Sequence, residues 1–478
     1  MIRSTSITSL ILIIFLALPP QQATAKKIKP YQPSDLLENY RRAHASINDV
    51  NNKMIRHRVS PHWVEEDNKF WYKLDLHGDK REWVVVDCLA GKRQLAFNHT
   101  AVGKQLSELL KKDVDGSKLN LSELQFDKAL TYCEFKFENG RYRFHYKDNK
   151  LEKMTRILSP PNIVSTSTRI AQKQDQTPRW EFEIKNHNAV LVDKENKQEH
   201  VLTTDGTEAN PYKFNKWDPA RNYVVFMKVQ PGNLSKVHLL ESSPKDSIKA
   251  KLHTRTYAQP GDRFDSFKLF VASTETQKSY AVDTELIDYH GPPRLEWHEN
   301  NDFFTYQKDD RGHQRVRVIA VSAADGTTRT VIDEKTETFI NQTKFFRHYT
   351  KEGKHLVWAS ERSGWNHLYL YNLNSDQSII PITRGEWAVK KVHSFHEEDG
   401  YLIFSAVGTE ANEDPYHEHY FRVNLDGSNL TKLTDGDGTH KIQLSPTRRF
   451  LIDEYSRIDQ PPIHTLRNAK TGKAICQL

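Results

Sequence analysis

The chain has 478 residues, long enough for a large core or several domains. Its net charge of +7 comes from basic and acidic residues interspersed along the sequence, which excludes the clustered basic face of a nucleic-acid binder. Its three cysteines, Cys88, Cys133 and Cys476, fit neither a zinc spacing nor a redox pair, and their odd count argues against a disulfide framework. One bridge can form, and the sequence leaves open whether Cys88 and Cys133 make it.

The first element reads as a leader. Arg3 precedes an apolar run over residues 10–18, and Ala23-Thr24-Ala25 fits a small-x-small cleavage site. The run is shorter than the roughly 20 residues that span a bilayer. Residues 1–25 are therefore expected to be a signal peptide, and the mature chain to be exported, either periplasmic or secreted. No cysteine follows the run, so a lipoprotein signal is not supported. No other segment is apolar and long enough to predict a membrane span.

Residues 26–57 form an N-terminal helical segment in this reading. From Pro33 to about Arg56, Leu36, Leu37, Tyr40, Ala43 and Ile47 recur at three- and four-residue spacing, with Ser34 as cap and Pro33 just outside. A second short helix is predicted over 102–110. Both read as packing or capping pieces without a chemical motif.

From residue 58 onward the pattern is strand, turn, strand. A Ser/Asp-Pro phrase followed by polar residues and an aromatic strand appears at Val59-Ser60-Pro61, at Trp217-Asp218-Pro219 running to Tyr223, and at Leu444-Ser445-Pro446 running to Phe450; looser copies start at Trp297 and Tyr349. Each copy leads to a hairpin and a polar turn such as Asp87 to Gly91, Asp193 to Asn196, Ala324-Asp325-Gly326 or Asp426-Gly427. A closing strand often follows, as in Leu202-Thr203-Thr204-Asp205-Gly206, Ile382-Thr383-Arg384-Gly385 and Leu433-Thr434-Asp435-Gly436. A unit repeated roughly every 40 to 60 residues has the spacing of four-stranded propeller blades. One such sheet cannot cover both its faces, so blades stack radially and bury one another. The predicted fold is an all-β propeller of seven or eight blades, eight preferred, over 58–478, with an insertion in the long interval 213–281.

The clearest copy is Ser360-Glu361-Arg362-Ser363-Gly364-Trp365-Asn366-His367-Leu368-Tyr369, followed by Thr383-Arg384-Gly385-Glu386-Trp387. With Leu202 to Thr207 and His253 to Asp262, this resembles the N-terminal propeller of the dipeptidyl peptidase IV family of serine exopeptidases, over nearly the whole mature chain. In that family the propeller restricts access and helps to bind the substrate's free amino terminus, and a following α/β-hydrolase domain holds the Ser-Asp-His triad. This sequence departs from the pattern. A nucleophile elbow needs Gly-x-Ser-x-Gly, and no such motif occurs. A hydrolase domain would need about 200 further residues. No catalytic residue is assigned, and the chain alone is expected to be inactive.

The resemblance also implies substrate contacts. Arg141 and Arg143 lie where the family places an arginine on the substrate backbone, a role suited to a planar set of donors. The family's acidic pair is missing, and only Glu208 lies in the corresponding region. Glu361 and Arg362 are expected to pair across their turn, and His367 to be a packed, hydrogen-bonded residue. The phrase containing Glu410, Glu413, Asp414, His417, Glu418 and His419 is expected to be a solvated loop, because its spacing supplies no third metal ligand. No metal and no cofactor is expected, since neither a phosphate loop nor a dinucleotide fingerprint occurs. Two functions follow: the non-catalytic propeller of an exported dipeptidyl-peptidase-like enzyme, or a stand-alone exported propeller binding a peptide, glycan or protein. The partners implied are a peptide substrate, or a hydrolase domain or chain, with a homodimer as a further expectation.

Overall fold

A computed structural model of the chain describes residues 33–51, 58–64, 66–127, 130–154, 178–289, 291–298, 303–342, 346–374 and 379–478. The expected signal peptide, and the helical segment beyond residue 51, lie outside the described residues. The chain divides into two units, Met1–Arg56 and His57–Leu478.

In the first unit, helix α1 spans Pro33–Asn51. Pro33 is its first residue rather than its neighbour, a position where the missing N–H has no helical partner to lose. Leu36, Leu37 and Tyr40 are exposed.

In the second unit the described strands form eight antiparallel sheets in chain order and one two-stranded hairpin. The sheets span residues 62–95, 122–153, 180–201, 212–281, 295–335, 347–381, 388–432 and 439–477, numbered here 1 to 8. Sheet 3 has three described strands and the others four. The expected insertion is the hairpin Lys236–Glu241 with Lys251–Thr256, set between the second and third strands of sheet 4.

Local chemistry explains the repeat. In the Ser/Asp-Pro phrase the side chain closes the turn into the second strand. Asp218 Oδ1 accepts from the Tyr223 N–H at 2.6 Å, and Ser445 Oγ from the Phe450 N–H at 3.2 Å. In the polar turns, Asp87 accepts from Leu89 and Ala90, Asp325 from Thr327, and Asp426 from Ser428. Just past the closing strand a buried threonine hydroxyl accepts from the strand before it: Thr203 from Ala189, Thr383 from Leu368, Thr434 from Tyr420, at 2.9 to 3.0 Å.

The core lies between sheets. Alternate residues point to opposite faces of a strand, and here both faces are apolar. Trp71, Trp83 and Val85 of sheet 1 pack with Cys133, Phe135 and Phe144 of sheet 2, whereas Phe70, Tyr72, Val84 and Val86 pack with Phe450, Ile452 and Leu466 of sheet 8. Similar clusters join sheets 3 to 4, 4 to 5, 5 to 6, 6 to 7 and 7 to 8. Each fully buried side chain of this kind contributes about 1.5–3 kcal/mol. The contact of sheet 8 with sheet 1 brings the last described sheet of the β-propeller against the first. Among the described residues no strand is exchanged at that closure: sheet 1 holds the first four described strands and sheet 8 the last four. Side chains make the join, with Arg449 donating to the Asn68 side chain at 3.0 Å and Gln443 to the Val59 carbonyl at 3.3 Å.

Helix α2, His99–Leu110, covers the rim between sheets 1 and 2. Asn98 caps it, its Oδ1 accepting from the Ala101 N–H at 3.0 Å. Gly103 lies against Gly116 so closely that a Cβ would come within 2.6 Å of the Gly116 Cα. Cys88 and Cys133 sit in clusters on opposite faces of sheet 1, and all three thiols are free. Cys88 and Cys133 therefore do not pair.

Candidate functional site

The hairpin of sheet 6 pairs His355–Ser360 with His367–Asn372, Ser360 opposite His367. Gly364 turns it with φ +90°. His367 is buried, and its ring nitrogens face the Thr383 hydroxyl at 3.1 Å and the Gly385 carbonyl at 2.9 Å. Burial holds its pKa below the ordinary imidazole value. Gly385, at φ +141°, lies under the Trp387 indole, where a Cβ would sit 2.2 Å from the ring nitrogen. Trp387 meets His367 edge-on at 4.8 Å. The Thr-Arg-Gly-Glu-Trp phrase is thus a packing lock around His367, which is a structural residue and not a base.

Arg362 does not pair with Glu361 as expected. It reaches the neighbouring sheet 5, donating to Glu334 Oε1 at 2.6 Å, to Ser360 Oγ at 3.0 Å and to the Tyr371 hydroxyl, with its guanidinium 4.5 Å from the Tyr369 ring centroid. The Trp358 indole N–H donates to the same Glu334 oxygen at 3.0 Å. Glu334 and Arg362 line a groove of about 640 Å³ between sheets 5 and 6, bordered also by Asp333, Phe339, Glu361 and Asn366. Asp333 is held by Arg315 through two bonds of 2.7 and 2.8 Å. The exposed Glu361 carboxylate has no hydrogen bond or ion pair among the described residues. The groove therefore offers one free carboxylate, Glu361, in a lining that also holds Arg362 and the exposed Lys335, 3.6 Å from Asp333.

The sequence-predicted contacts lie elsewhere. Arg141 and Arg143 are on the third strand of sheet 2. Arg141 pairs with Glu123; Arg143 donates to Glu134, at 2.9 Å from its Nε, and lies over the Tyr132 ring at 4.5 Å. Glu208 is exposed in the link from sheet 3 to sheet 4, and its carboxylate has no partner among the described residues. No hydrogen bond or ion pair joins these three residues to one another or to the groove.

Comparison with known proteins decides the family. Residues 184–462, more than half of the chain and including the whole groove, match the sequence model described as the dipeptidyl peptidase IV (DPP IV) N-terminal region. The chain belongs to that family. Probable dipeptidyl-aminopeptidase B of Aspergillus fumigatus is 36% identical over 73 residues, which are 15% of this chain and 8% of that protein. Its counterpart in Aspergillus oryzae is 31% identical over 96 residues, 20% of this chain and 10% of that protein. These matches thus span about a tenth of the relatives' own length. The crystal structure of Porphyromonas gingivalis dipeptidyl peptidase 4 overlays 91% of this chain and 61% of that one, with a TM-score of 0.44 and 14% identity. At that score the overlay carries no argument about a site.

This DPP IV N-terminal region also corrects the expectation for its His- and acid-rich loop. Glu413 and His417 are joined by Asp437, from the link into sheet 8, and the three donor atoms lie within 4.8 Å of one another. His417 Nδ1 is 3.2 Å from Asp437 Oδ1, and Glu413 Oε2 receives the His419 ring at 2.9 Å. Arg457 bonds the other Asp437 oxygen. The third donor that spacing failed to supply is present in the fold, and the loop is partly buried at Glu413, His417, Glu418 and His419 while Asp414 stays exposed. Arg362's partner Glu334 and the free Glu361 were equally beyond sequence reasoning, because both depend on which sheets become neighbours.

Proposed function

We propose that the chain is the propeller region of an exported, DPP IV-like serine peptidase, and that it serves proteolysis by binding peptide amino termini and limiting access. Membership of the DPP IV N-terminal-region family carries this reading, since the family match covers the groove between sheets 5 and 6. The free carboxylate of Glu361 in the groove is the group offered to a substrate ammonium, with the unpartnered Glu208 of the link from sheet 3 to sheet 4 as a separate candidate; Arg141 and Arg143 would reach a peptide carbonyl only by leaving Glu123 and Glu134. No Gly-x-Ser-x-Gly occurs in the sequence, so bond cleavage is assigned to a hydrolase domain or partner and not to these residues.

Fluorescence anisotropy with short labelled Xaa-Pro peptides tests the reading. A free amino terminus should bind about tenfold more tightly than its acetylated copy, and Glu361→Gln should erase most of that difference. The purified chain should not release chromophore from Xaa-Pro anilides. Equal affinity for free and acetylated peptides, or binding only to glycans, would overturn the proposal in favour of a stand-alone binding propeller.

A further inference from the structure

The closure between sheets 8 and 1 contains two of the three cysteines. In sheet 8, Cys476 stands opposite Leu466, which stands opposite Ile452, so the three side chains share the face turned to sheet 1. In sheet 1, Cys88 follows Val86 by two positions, and its N–H donates to the Asn68 carbonyl at 2.8 Å. That extends the face of Phe70, Tyr72 and Val86 toward sheet 8. The turn that starts at Cys88 rests directly on the strand bearing Cys476. Gly91 in that turn has φ +62°, and a Cβ there would lie 3.2 Å from both the carbonyl oxygen and the Cγ2 of Ile475. Both cysteines are on the outer side of their sheets, Cys88 just past the third strand and Cys476 in the fourth.

We propose that Cys88 and Cys476 form a disulfide that clasps sheet 1 to sheet 8 when the chain folds in an oxidising compartment. The clasp would link the two sheets covalently where no described strand crosses from one to the other. The oxidant is an external disulfide, that of a dithiol oxidoreductase or of oxidised glutathione. The Cys476 thiolate attacks it, forming a mixed disulfide and releasing one thiolate. The Cys88 thiolate then attacks the Cys476 sulfur and expels the second. Two protein thiols lose two protons and two electrons, and the oxidant's disulfide becomes two thiols. The order follows from access. Burial raises both thiols, Cys88 to about 12 with the neighbouring Cys476 as the next cause, and Cys476 is the more exposed of the two. Cys88 therefore reacts while its turn is still open. Cys133 lies on the far side of sheet 1 and takes no part.

The full chain, exported into an oxidising compartment or refolded with oxidised glutathione, provides the test. After denaturing alkylation it should show one free thiol, Cys133, a mass about 2 Da below the reduced form, and a cross-linked fragment joining Cys88 to Cys476. Reductant should lower the wild-type melting midpoint by roughly 2–8 °C and leave Cys476→Ser unmoved. Three alkylatable thiols after oxidation, a bridge to Cys133, or a bridge between two chains would overturn the proposal. The readout is thiol chemistry, so it stands or falls independently of peptide binding.

Discussion

The two faces of sheet 8 are built from the same strands and are stabilised in different ways. Toward sheet 1 stand Phe450, Ile452, Leu466 and Cys476, with one polar pair, His464 Nε2 to Glu454 at 3.1 Å. Toward sheet 7, a single residue along each strand, Leu451 is followed by the buried Asp453, and Arg467 takes the place of Leu466. Asp453 accepts from Arg467 Nε at 2.8 Å and faces His440 Nδ1 at 2.7 Å; Arg467 continues to the Gly472 carbonyl and to Asp435. His440 also lies 4.7 Å from His419 of sheet 7. The first face depends on shape and area, and the second on every buried charge keeping its partner.

That contrast can be broken most severely at Asp453. Asp453→Asn leaves Arg467 and His440 without their shared carboxylate, and unfolding in denaturant should show a loss of about 3–5 kcal/mol. A second, slightly smaller effect is acidification. Burial lowers the pKa of His419, and at the junction of sheets 5 and 6 it holds His298 at about 4, below its ordinary 6.5. Above pH 6.5 both folded and unfolded chains are neutral at His298, and the stability is complete. As the pH falls toward 4 the unfolded chain takes up the proton first, and about 3 kcal/mol is lost through this residue alone. Melting curves from pH 7 to 4 should show that decline, and His298→Gln should flatten it. The smallest effect belongs to the apolar face. Ile452→Val should lose about 0.5–1.5 kcal/mol, by the same amount at pH 7 and pH 5. A strongly pH-dependent loss there would mean that the two faces are not energetically separate.

What could be read beforehand follows the distance over which each cause acts. The blade pattern was legible because its signals are local: Asp218 binds an N–H five residues on, Asp325 one two residues on, and each closing threonine bonds the strand just before it. Such bonds need particular residues at fixed offsets, and so they leave a spacing. The family phrase around His367 was legible for the same reason, although its meaning proved to be packing. Contacts between sheets leave no spacing. Glu334 reaches Arg362 across 28 positions, Asp437 meets His417 from a different link, and Cys476 meets the turn of Cys88 only because the ring closes. Arg141 and Arg143 were singled out only by family resemblance, and their partners Glu123 and Glu134 come from the two strands before theirs.

Neighbouring sheets elsewhere in the ring are consecutive in the chain, so they are tethered by the polypeptide between them. Sheets 8 and 1 are the pair with no such tether, and none of their backbone ladders spans the gap. A split washer has the same weak point: its cut is held by the fit of the two faces, here Phe70, Tyr72, Val84 and Val86 against Phe450, Ile452 and Leu466.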